Sequence, residues 1–422
     1  MSRESLLARA MARPWFLMLW SIVAVFGCYG CMYGFRKPFT AAGFGGADEK
    51  AWLVTAQVIG YTLSKFIGIK VIAEMHARHR ARALLSLVVL AETSLLLFAI
   101  TPAPLNAAWL FVNGLALGMV FGLVLGFVEG RCLTELFVAG LCASFILADG
   151  VSKSVGSLLL ERGVSAHWMP AAAGLLFLLP LLLFVWMLTQ IPAPSLEDEA
   201  ARSRRVPMTA AERWAMVKRH GVGLAGIVLA YLLITVLRSI RADFAPEIWS
   251  SLGHGSQPAV FTQSEFLVTL VVVLANGALV VVKDNRRAFF TGLGLSATAL
   301  VFALVSLLGH LAGVLSPFTF MVLLGAGMYV PYVAVHTTIF ERLIALTRER
   351  ANMGFLMYVA DAIGYLGYVV VMLGRSAFPV REHFGKFFIS ASAMLLGAAL
   401  VCVLLAAWVY TRRVPADQTS RE

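Results

Sequence analysis

The chain has 422 residues, of which 60% are hydrophobic and 14% charged, and its formal net charge is +11. A soluble domain is about half apolar and about a quarter charged, so this composition excludes an ordinary soluble protein and predicts a polytopic membrane protein. The five cysteines all lie in or beside apolar runs, which argues against a framework of disulfides.

Twelve apolar runs follow one another along the chain, each long enough to cross a bilayer. A spanning helix needs about 20 mostly apolar residues, and continuous runs predict helices, whereas a barrel would alternate. We interpret the first run as a retained helix and not as a signal peptide. The runs cover residues 15–37, 51–73, 83–101, 106–128, 136–160, 168–191, 221–244, 262–282, 288–311, 316–340, 351–373 and 386–410.

Lysine and arginine are concentrated on one side of the predicted membrane. Of the 34 residues, 22 fall in the termini and alternate loops, five in the opposite loops and seven within or at the ends of spans. By the positive-inside rule, this distribution predicts an integral protein of the cell membrane, the inner membrane in a bacterium, with both termini cytoplasmic. The basic charge is therefore a topology signal, and we expect no nucleic-acid partner.

One long polar segment, residues 191–220, divides the spans six and six. The predicted domains are an N-terminal six-helix half (1–190), a cytoplasmic linker (191–220), a C-terminal six-helix half (221–410) and a cytoplasmic tail (411–422). This pattern predicts an all-α membrane protein with twelve transmembrane helices in two six-helix halves, the major facilitator fold. Substrate is then expected near the midplane, between the halves. A linker that only connects, without a repeat, is the alternative.

Charge is costly in the predicted spans and makes each charged residue there a functional hypothesis, and we single out eleven of them. Helices 3, 6, 9 and 12 lie outside the cavity in the major facilitator arrangement, and only Glu92 is on one of these. The other ten are seven cations and three anions: Arg36, Lys37, Lys65, Lys70, Lys153, Arg238, Arg241, Asp149, Asp243 and Asp361. A surplus of cations predicts an anionic substrate. For Arg36, Lys37, Lys70 and Asp243, near helix ends, snorkelling to the interface is the alternative.

Helical spacing combines these cations with aromatic residues. Tyr33 and Arg36 share one stripe of helix 1, and Tyr61 and Lys65 share one stripe of helix 2. The planar arginine fork donates two parallel hydrogen bonds to phosphoryl or carboxylate groups. One arginine from each half, Arg36 and Arg238, could therefore clamp a tetrahedral anion and couple its binding to a rocking of the halves.

The remaining ionisable residues leave alternatives open. Arg241 lies on the same helical face as the helix 7 arginine and could supplement it. Asp149 and Lys153 are one turn apart and could neutralise each other. Asp361 could pair with a cavity cation or carry a coupling proton. For His336, polar packing between helices is favoured over a role in the cavity.

Three short motifs carry a family resemblance. They are Tyr33-x-x-Arg36-Lys37-x-Phe39 in helix 1, Tyr61-x-x-Ser64-Lys65-Phe66 in helix 2, and Arg238 followed by Asp243-Phe244 and Pro246 in helix 7. These resemble the motifs of the organophosphate:phosphate antiporters, the glycerol-phosphate and hexose-phosphate transporters of the major facilitator superfamily. The resemblance implies that Arg36 and Arg238 hold the phosphate from opposite halves while Lys65 assists. The family's helix 5 histidine is absent, and either Asp149 or Lys153 could occupy its place.

We therefore expect a monomeric secondary transporter of a small organic anion, an organophosphate or phosphonate, working by alternating access in the lipid bilayer. We expect no enzyme activity, cofactor or metal. The substrate-binding candidates are Arg36, Lys65, Arg238, Arg241, Tyr33 and Tyr61, and the candidates for coupling or ion pairing are Asp149, Lys153 and Asp361. The rivals are a proton-coupled importer of another anion, with Asp149 or Asp361 as the proton site, and a transport-incompetent sensor of an organophosphate.

Overall fold

A computed structural model describes residues 6–128, 131, 134–193, 210–253, 257–347, 353–374 and 384–413. Throughout these ranges the regular elements are helices, as the continuous apolar runs predict. Segment 194–209 of the predicted linker and segment 414–422 of the predicted tail lie outside the described residues.

The first of two compact units comprises Met1–Arg204 with Ser256–Phe266. Its helices are α1 (Leu6–Met11), α2 (Pro14–Tyr33), α3 (Ala47–Glu74), α4 (Ala77–Ile100), α5 (Ala107–Leu117), α6 (Val120–Val128), α7 (Thr134–Glu161) and α8 (Met169–Thr189), with a 3₁₀ turn at Pro38–Ala41. Within this unit, α3 packs along α5, and α2 packs against both α7 and α8.

The second unit comprises Arg205–Gly255 and Leu267–Glu422. The first helix after residue 209 begins inside the predicted linker. The helices from there on are α9 (Ala210–Asp243), α10 (Ala245–Ser251), α11 (Pro258–Val280), α12 (Asn285–Leu311), α13 (Pro317–Ala334), a π turn (Val335–Ile339), α14 (Phe340–Thr347), α15 (Met353–Gly374) and α16 (Phe384–Arg413). The first residues of α11 belong to the first unit. In the second unit, α9 packs against α13, α15 and α16.

Eleven helical segments in the described part of the chain are long and apolar enough to cross a membrane. One of these spans, Ala107–Val128, is formed by α5 and α6 together. The remaining predicted span corresponds to α3, which has the length but carries the polar residues Gln57, Lys65 and Lys70. Those residues lower its mean hydropathy, and two of them are buried inside the protein instead of facing lipid.

The predicted helix 15–37 is shorter than expected at its C-terminal end. The α-helix stops at Tyr33, and a turn followed by the 3₁₀ segment leads away from it. Pro38 explains the difference, because it has no N–H to donate to the Gly34 carbonyl and its ring would clash with that carbonyl in a continued helix. Arg36 and Lys37 therefore lie in the turn after the helix, where helical spacing no longer sets their directions.

Two glycines allow α3 and α5 to approach each other closely. A Cβ atom on Gly60 would lie 2.0 Å from the Phe111 carbonyl oxygen, and one on Gly114 would lie 2.0 Å from the Gln57 carbonyl oxygen. Only a residue without a side chain fits at either place, as is common where membrane helices pack backbone to backbone. This contact fixes α3, and with it Gln57, Tyr61 and Lys65, against the rest of the first unit.

Candidate functional site

Arg36 is held in a buried turn at the end of α2. The backbone N–H of Arg36 and that of Lys37 both donate to the carbonyl of Tyr33, at 3.0 and 2.9 Å. Arg36 is only 3% exposed. A buried guanidinium is costly unless its surroundings compensate it, so its neighbours decide what the residue does.

Aromatic rings surround the Arg36 guanidinium. Its Cζ atom lies 3.7 Å from the centroid of the Tyr61 ring and 5.8 Å from that of Tyr33. A ring face attracts a cation through its quadrupole. Because the rings are neutral, these contacts orient the guanidinium without cancelling its positive charge.

The side-chain amides of two buried residues, Gln57 and Asn113, donate hydrogen bonds to the backbone of the Arg36 turn. Gln57 donates to the Arg36 carbonyl at 3.0 Å and to the side-chain oxygen of Asn113 at 2.8 Å. Asn113 in turn donates to the carbonyls of Phe35 and Ala91, at 3.1 and 3.2 Å. This network connects α3, α4 and α5 to the turn and satisfies its backbone. The two amide residues of this network are uncharged, so an interpretation of the sequence that looks only for cations overlooks them.

Lys65 shares an aromatic neighbour with Arg36. Its Nζ atom lies 5.3 Å from the Tyr61 centroid and 5.3 Å from the Phe121 centroid. Lys65 is 2% exposed, although it lies in the middle of a membrane helix. The structure therefore brings together four of the predicted binding residues, Arg36, Lys65, Tyr33 and Tyr61, in one cluster of the first unit.

Asp149 and Lys153 form the predicted ion pair on one face of α7, with Lys153 donating to the carboxylate. The other carboxylate oxygen of Asp149 lies 3.9 Å from Nζ of Lys37. The proposal that Lys37 snorkels is therefore wrong, because this lysine is 5% exposed and directed at an acidic partner. The break in the helix after Tyr33 explains the difference.

Arg238, on α9 of the second unit, repeats the pairing of a buried arginine with tyrosines. Its Cζ atom lies 4.7 Å from the Tyr332 ring centroid, and its Nη2 donates to the Tyr365 hydroxyl at 3.1 Å. Tyr332 and Tyr365 were not among the predicted site residues. Tyr365 is four residues after Asp361, and this one-turn spacing on α15 is the sequence signal that could have found it.

Arg241 and Asp243 make different contacts from Arg238. Arg241 donates to the Met321 carbonyl at 3.1 Å, eleven residues before Tyr332 and therefore about 16 Å away along α13. Asp243 accepts a hydrogen bond from the Tyr368 hydroxyl at 2.9 Å. The described contacts of Arg241 are therefore with a different part of α13 from those of Arg238, although the two residues share a helical face.

Asp361 and His336 meet in the second unit. The carboxylate accepts a hydrogen bond from the Tyr231 hydroxyl, and its Oδ1 lies 3.5 Å from Nε2 of His336. His336 is buried at the start of the π turn, and its Nδ1 lies 3.0 Å from the Tyr332 carbonyl. Tyr231 was not predicted to belong to this group, since an uncharged residue on a helix gives little sign of its distant neighbours.

The sequence was compared with protein-family models and curated proteins, and the structure with solved structures. A family model described as "Family of unknown function (DUF5690)" matches residues 37–413. A crystal structure of a D-xylose–proton symporter is similar with a TM-score of 0.61 at 15% identity, covering 92% of this chain and 97% of that one. A structure of the major facilitator proton:xylose symporter bound to 6-bromo-6-deoxy-D-glucose gives 0.61 at 14% identity, covering 94% and 95%. No curated protein matches the sequence.

At this level of identity the similarity shows the fold alone. The chain has the major facilitator fold, which confirms the fold class predicted from twelve spans. The organophosphate antiporter branch and the individual site residues stay predictions.

Proposed function

Since the chain belongs to DUF5690, a family of unknown function, and has the major facilitator fold, we propose that it is a secondary transporter of a small organic anion. It would work by alternating access in the cell membrane, the inner membrane in a bacterium, as a monomer with cytoplasmic termini and no enzyme activity. The two proteins of similar fold are proton symporters by name, which supports transport as the function of this fold here.

The observation that carries the proposal is the surplus of buried positive charge in the first unit. Arg36, Lys65 and the two lysines beside Asp149 are all 5% exposed or less. Over the described residues of the first unit, the buried charged side chains are six cations (these four with Lys50 and Arg131) and three carboxylates (Glu92, Asp149 and Glu265). This net charge of three positive units, in surroundings of low dielectric constant, attracts an anion. This supports a negatively charged substrate.

Organophosphates and phosphonates are the proposed substrate class. The fork of Arg36 or Arg238 matches the oxygens of a phosphoryl group, and Tyr33 and Tyr61 are hydroxyl donors beside the first of these. Lys65 adds a point charge. Arg241 would contribute less, because its described hydrogen bond goes to a backbone carbonyl.

Ligand-dependent thermal stabilisation of the purified protein tests the proposal. Inorganic phosphate, a phosphonate, sulfate and a carboxylate would be added to the wild type and to Arg36→Gln and Arg238→Gln. The matched control is Arg412→Gln, because Arg412 also lies over a ring, at 4.1 Å from the Trp408 centroid, but is exposed.

We expect an anion to raise the melting temperature of the wild type and of Arg412→Gln. Loss of a charged hydrogen-bond donor weakens binding by about 10- to 100-fold, so the shift should disappear in the two other variants. An unchanged shift in Arg36→Gln would contradict anion binding at this cluster.

A further inference from the structure

Asp361, His336 and Tyr231 form a buried group on three elements of the second unit: α15, the π turn and α9. Tyr231 donates to Oδ1 of Asp361, and its hydroxyl oxygen lies 3.3 Å from Nε2 of His336. Short π turns within helices are frequent at functional sites. An acid and an imidazole in contact inside a membrane protein are typical of residues that exchange protons.

The contacts of His336 fix which nitrogen takes up a proton. A backbone carbonyl can only accept a hydrogen bond, so the Nδ1 that faces the Tyr332 carbonyl carries the proton of the neutral ring. The single hydroxyl proton of Tyr231 goes to Asp361. The lone pair of Nε2 therefore lies beside a carboxylate oxygen, 3.5 Å away. A proton added at Nε2 would form a hydrogen bond to Asp361.

The Tyr332 ring connects this group to Arg238. Its centroid lies 4.9 Å from that of His336 and 4.8 Å from that of Tyr231, and Arg238 lies over the same ring. Among the described contacts, the charged and titratable groups near His336 and Asp361 are Tyr231 and Arg238 on α9, Tyr332 on α13 and Tyr365 on α15.

We propose that Nε2 of His336, together with Asp361, is a proton-binding site whose occupation strengthens anion binding at Arg238. The inference rests on the proposed function, because it concerns the same arginine. Without the proton, Asp361 and Arg238 have opposite charges and a net charge of zero. A proton from solution on Nε2 raises the net charge of the group to one positive unit, so the field of Arg238 is no longer cancelled.

Proton and anion binding are then cooperative and reciprocal. One unit charge across an aromatic ring, at an effective dielectric constant of about 20, changes anion affinity by about tenfold. Binding should be tighter in acid, and anion binding should take up a proton. The proton and the anion would then cross the membrane in the same direction, as in a symporter.

The variants of the two partners have opposite expected effects. His336→Gln keeps the carboxylate but cannot take the proton, so anion affinity should stay low at every pH. Asp361→Asn removes the charge that opposes Arg238 and also the carboxylate that would hold a proton on Nε2 of His336, so affinity should stay high at every pH. Damage to the packing alone would weaken binding in both variants, and this difference separates coupling from a structural role.

Anion affinity of the purified full chain, measured by thermal shift at about pH 8 and about pH 5.5, tests the proposal. Sulfate and dimethyl phosphate are the probes, since their own charge is constant over that range. The control is His310→Gln: the His310 ring stacks on Phe320 at 4.5 Å, which is about 24 Å of helix away from His336.

The expected result is about tenfold tighter binding at the lower pH in the wild type and in His310→Gln, with no pH dependence in His336→Gln or Asp361→Asn. Binding that does not vary with pH in the wild type, or still varies in His336→Gln, would overturn the inference and leave anion transport standing. If neither sulfate nor dimethyl phosphate binds at either pH, in the wild type or in Asp361→Asn, both this inference and the proposed anion transport are overturned.

Discussion

The guanidinium of Arg36 lies 3.7 Å from the centroid of the Tyr61 ring, and Nζ of Lys65 lies 5.3 Å from the same centroid. One ring on α3 therefore orients two buried cations that come from different parts of the first unit. Because a neutral ring leaves their charge in place, the arrangement keeps a positive potential inside a membrane protein.

Replacing Tyr61 separates the role of the ring from that of its hydroxyl. Tyr61→Phe keeps the ring and removes one hydrogen-bond donor, so anion affinity should fall by about three- to tenfold. Tyr61→Leu also removes the face that orients Arg36, and affinity should fall by about 30-fold or more. Isothermal titration with the anion that stabilises the wild type measures both. Equal losses in the two variants would show that the ring has no separate role.

Asn113→Ala should destabilise the protein strongly. The change leaves the Phe35 and Ala91 carbonyls and one donor of Gln57 without the partner they now have, at about 1–3 kcal/mol for each buried group. The apparent melting temperature in detergent measures the loss.

Asn106→Ala is the matched control for that change. Asn106 is equally buried, but neither of its side-chain polar atoms has a hydrogen-bond partner among the described residues. Its replacement should leave the melting temperature within about 2 °C of the wild type. If both variants melt alike, the network does not support the Arg36 turn.

Gly114→Ala should disrupt the contact between α3 and α5. The new methyl group would lie 2.0 Å from the Gln57 carbonyl oxygen, so the helices must separate, at about 1–3 kcal/mol or more. Gly277→Ala on α11 is the control, since a Cβ there meets nothing within 4 Å and alanine favours helix by about 1 kcal/mol. Melting temperatures that fall equally for both would contradict the close approach.

Asp149→Asn should cost about 3–5 kcal/mol, because two buried lysines lose their carboxylate. Adding Lys153→Met should recover part of this loss, and a double-mutant cycle measures the recovery. Glu92→Gln is the control: Glu92 is also buried, but neither carboxyl oxygen has a hydrogen-bond partner in the described part of the chain. We expect a change of at most about 1 kcal/mol there. A fully additive cycle would contradict the ion pair.

Spans and cations were predictable because each is a local property of the sequence. Long apolar runs must be helical in a bilayer, and the predicted bounds agree with α4 to α8 to within a few residues, apart from the extended start of α4. The end of helix 1 was missed because Pro38 prevents the preceding turn from continuing the helix, and hydropathy does not register that effect. The same turn placed Lys37 beside Asp149.

Neutral partners could not be predicted in the same way. Tyr231, Tyr332 and Tyr365 obtain their roles from helices far apart in sequence, and a single sequence contains no signal for which faces meet. A charged residue in a predicted span can be recognised from the sequence as a candidate, because burying its charge in a membrane is costly. A tyrosine in a membrane helix carries no such penalty and is not recognised in this way. Asp361 was singled out because it is charged within a span, and His336 because it lies one turn after Tyr332, while their contact with each other was not foreseen.

Uptake of labelled inorganic phosphate into liposomes that contain the purified protein and an internal organophosphate tests the central claim most directly. The account predicts uptake above that of empty liposomes for the wild type and Arg412→Gln, and its loss in Arg36→Gln and Arg238→Gln. Uptake at the wild-type rate by either of the last two variants would contradict the claim that these buried arginines bind the transported anion.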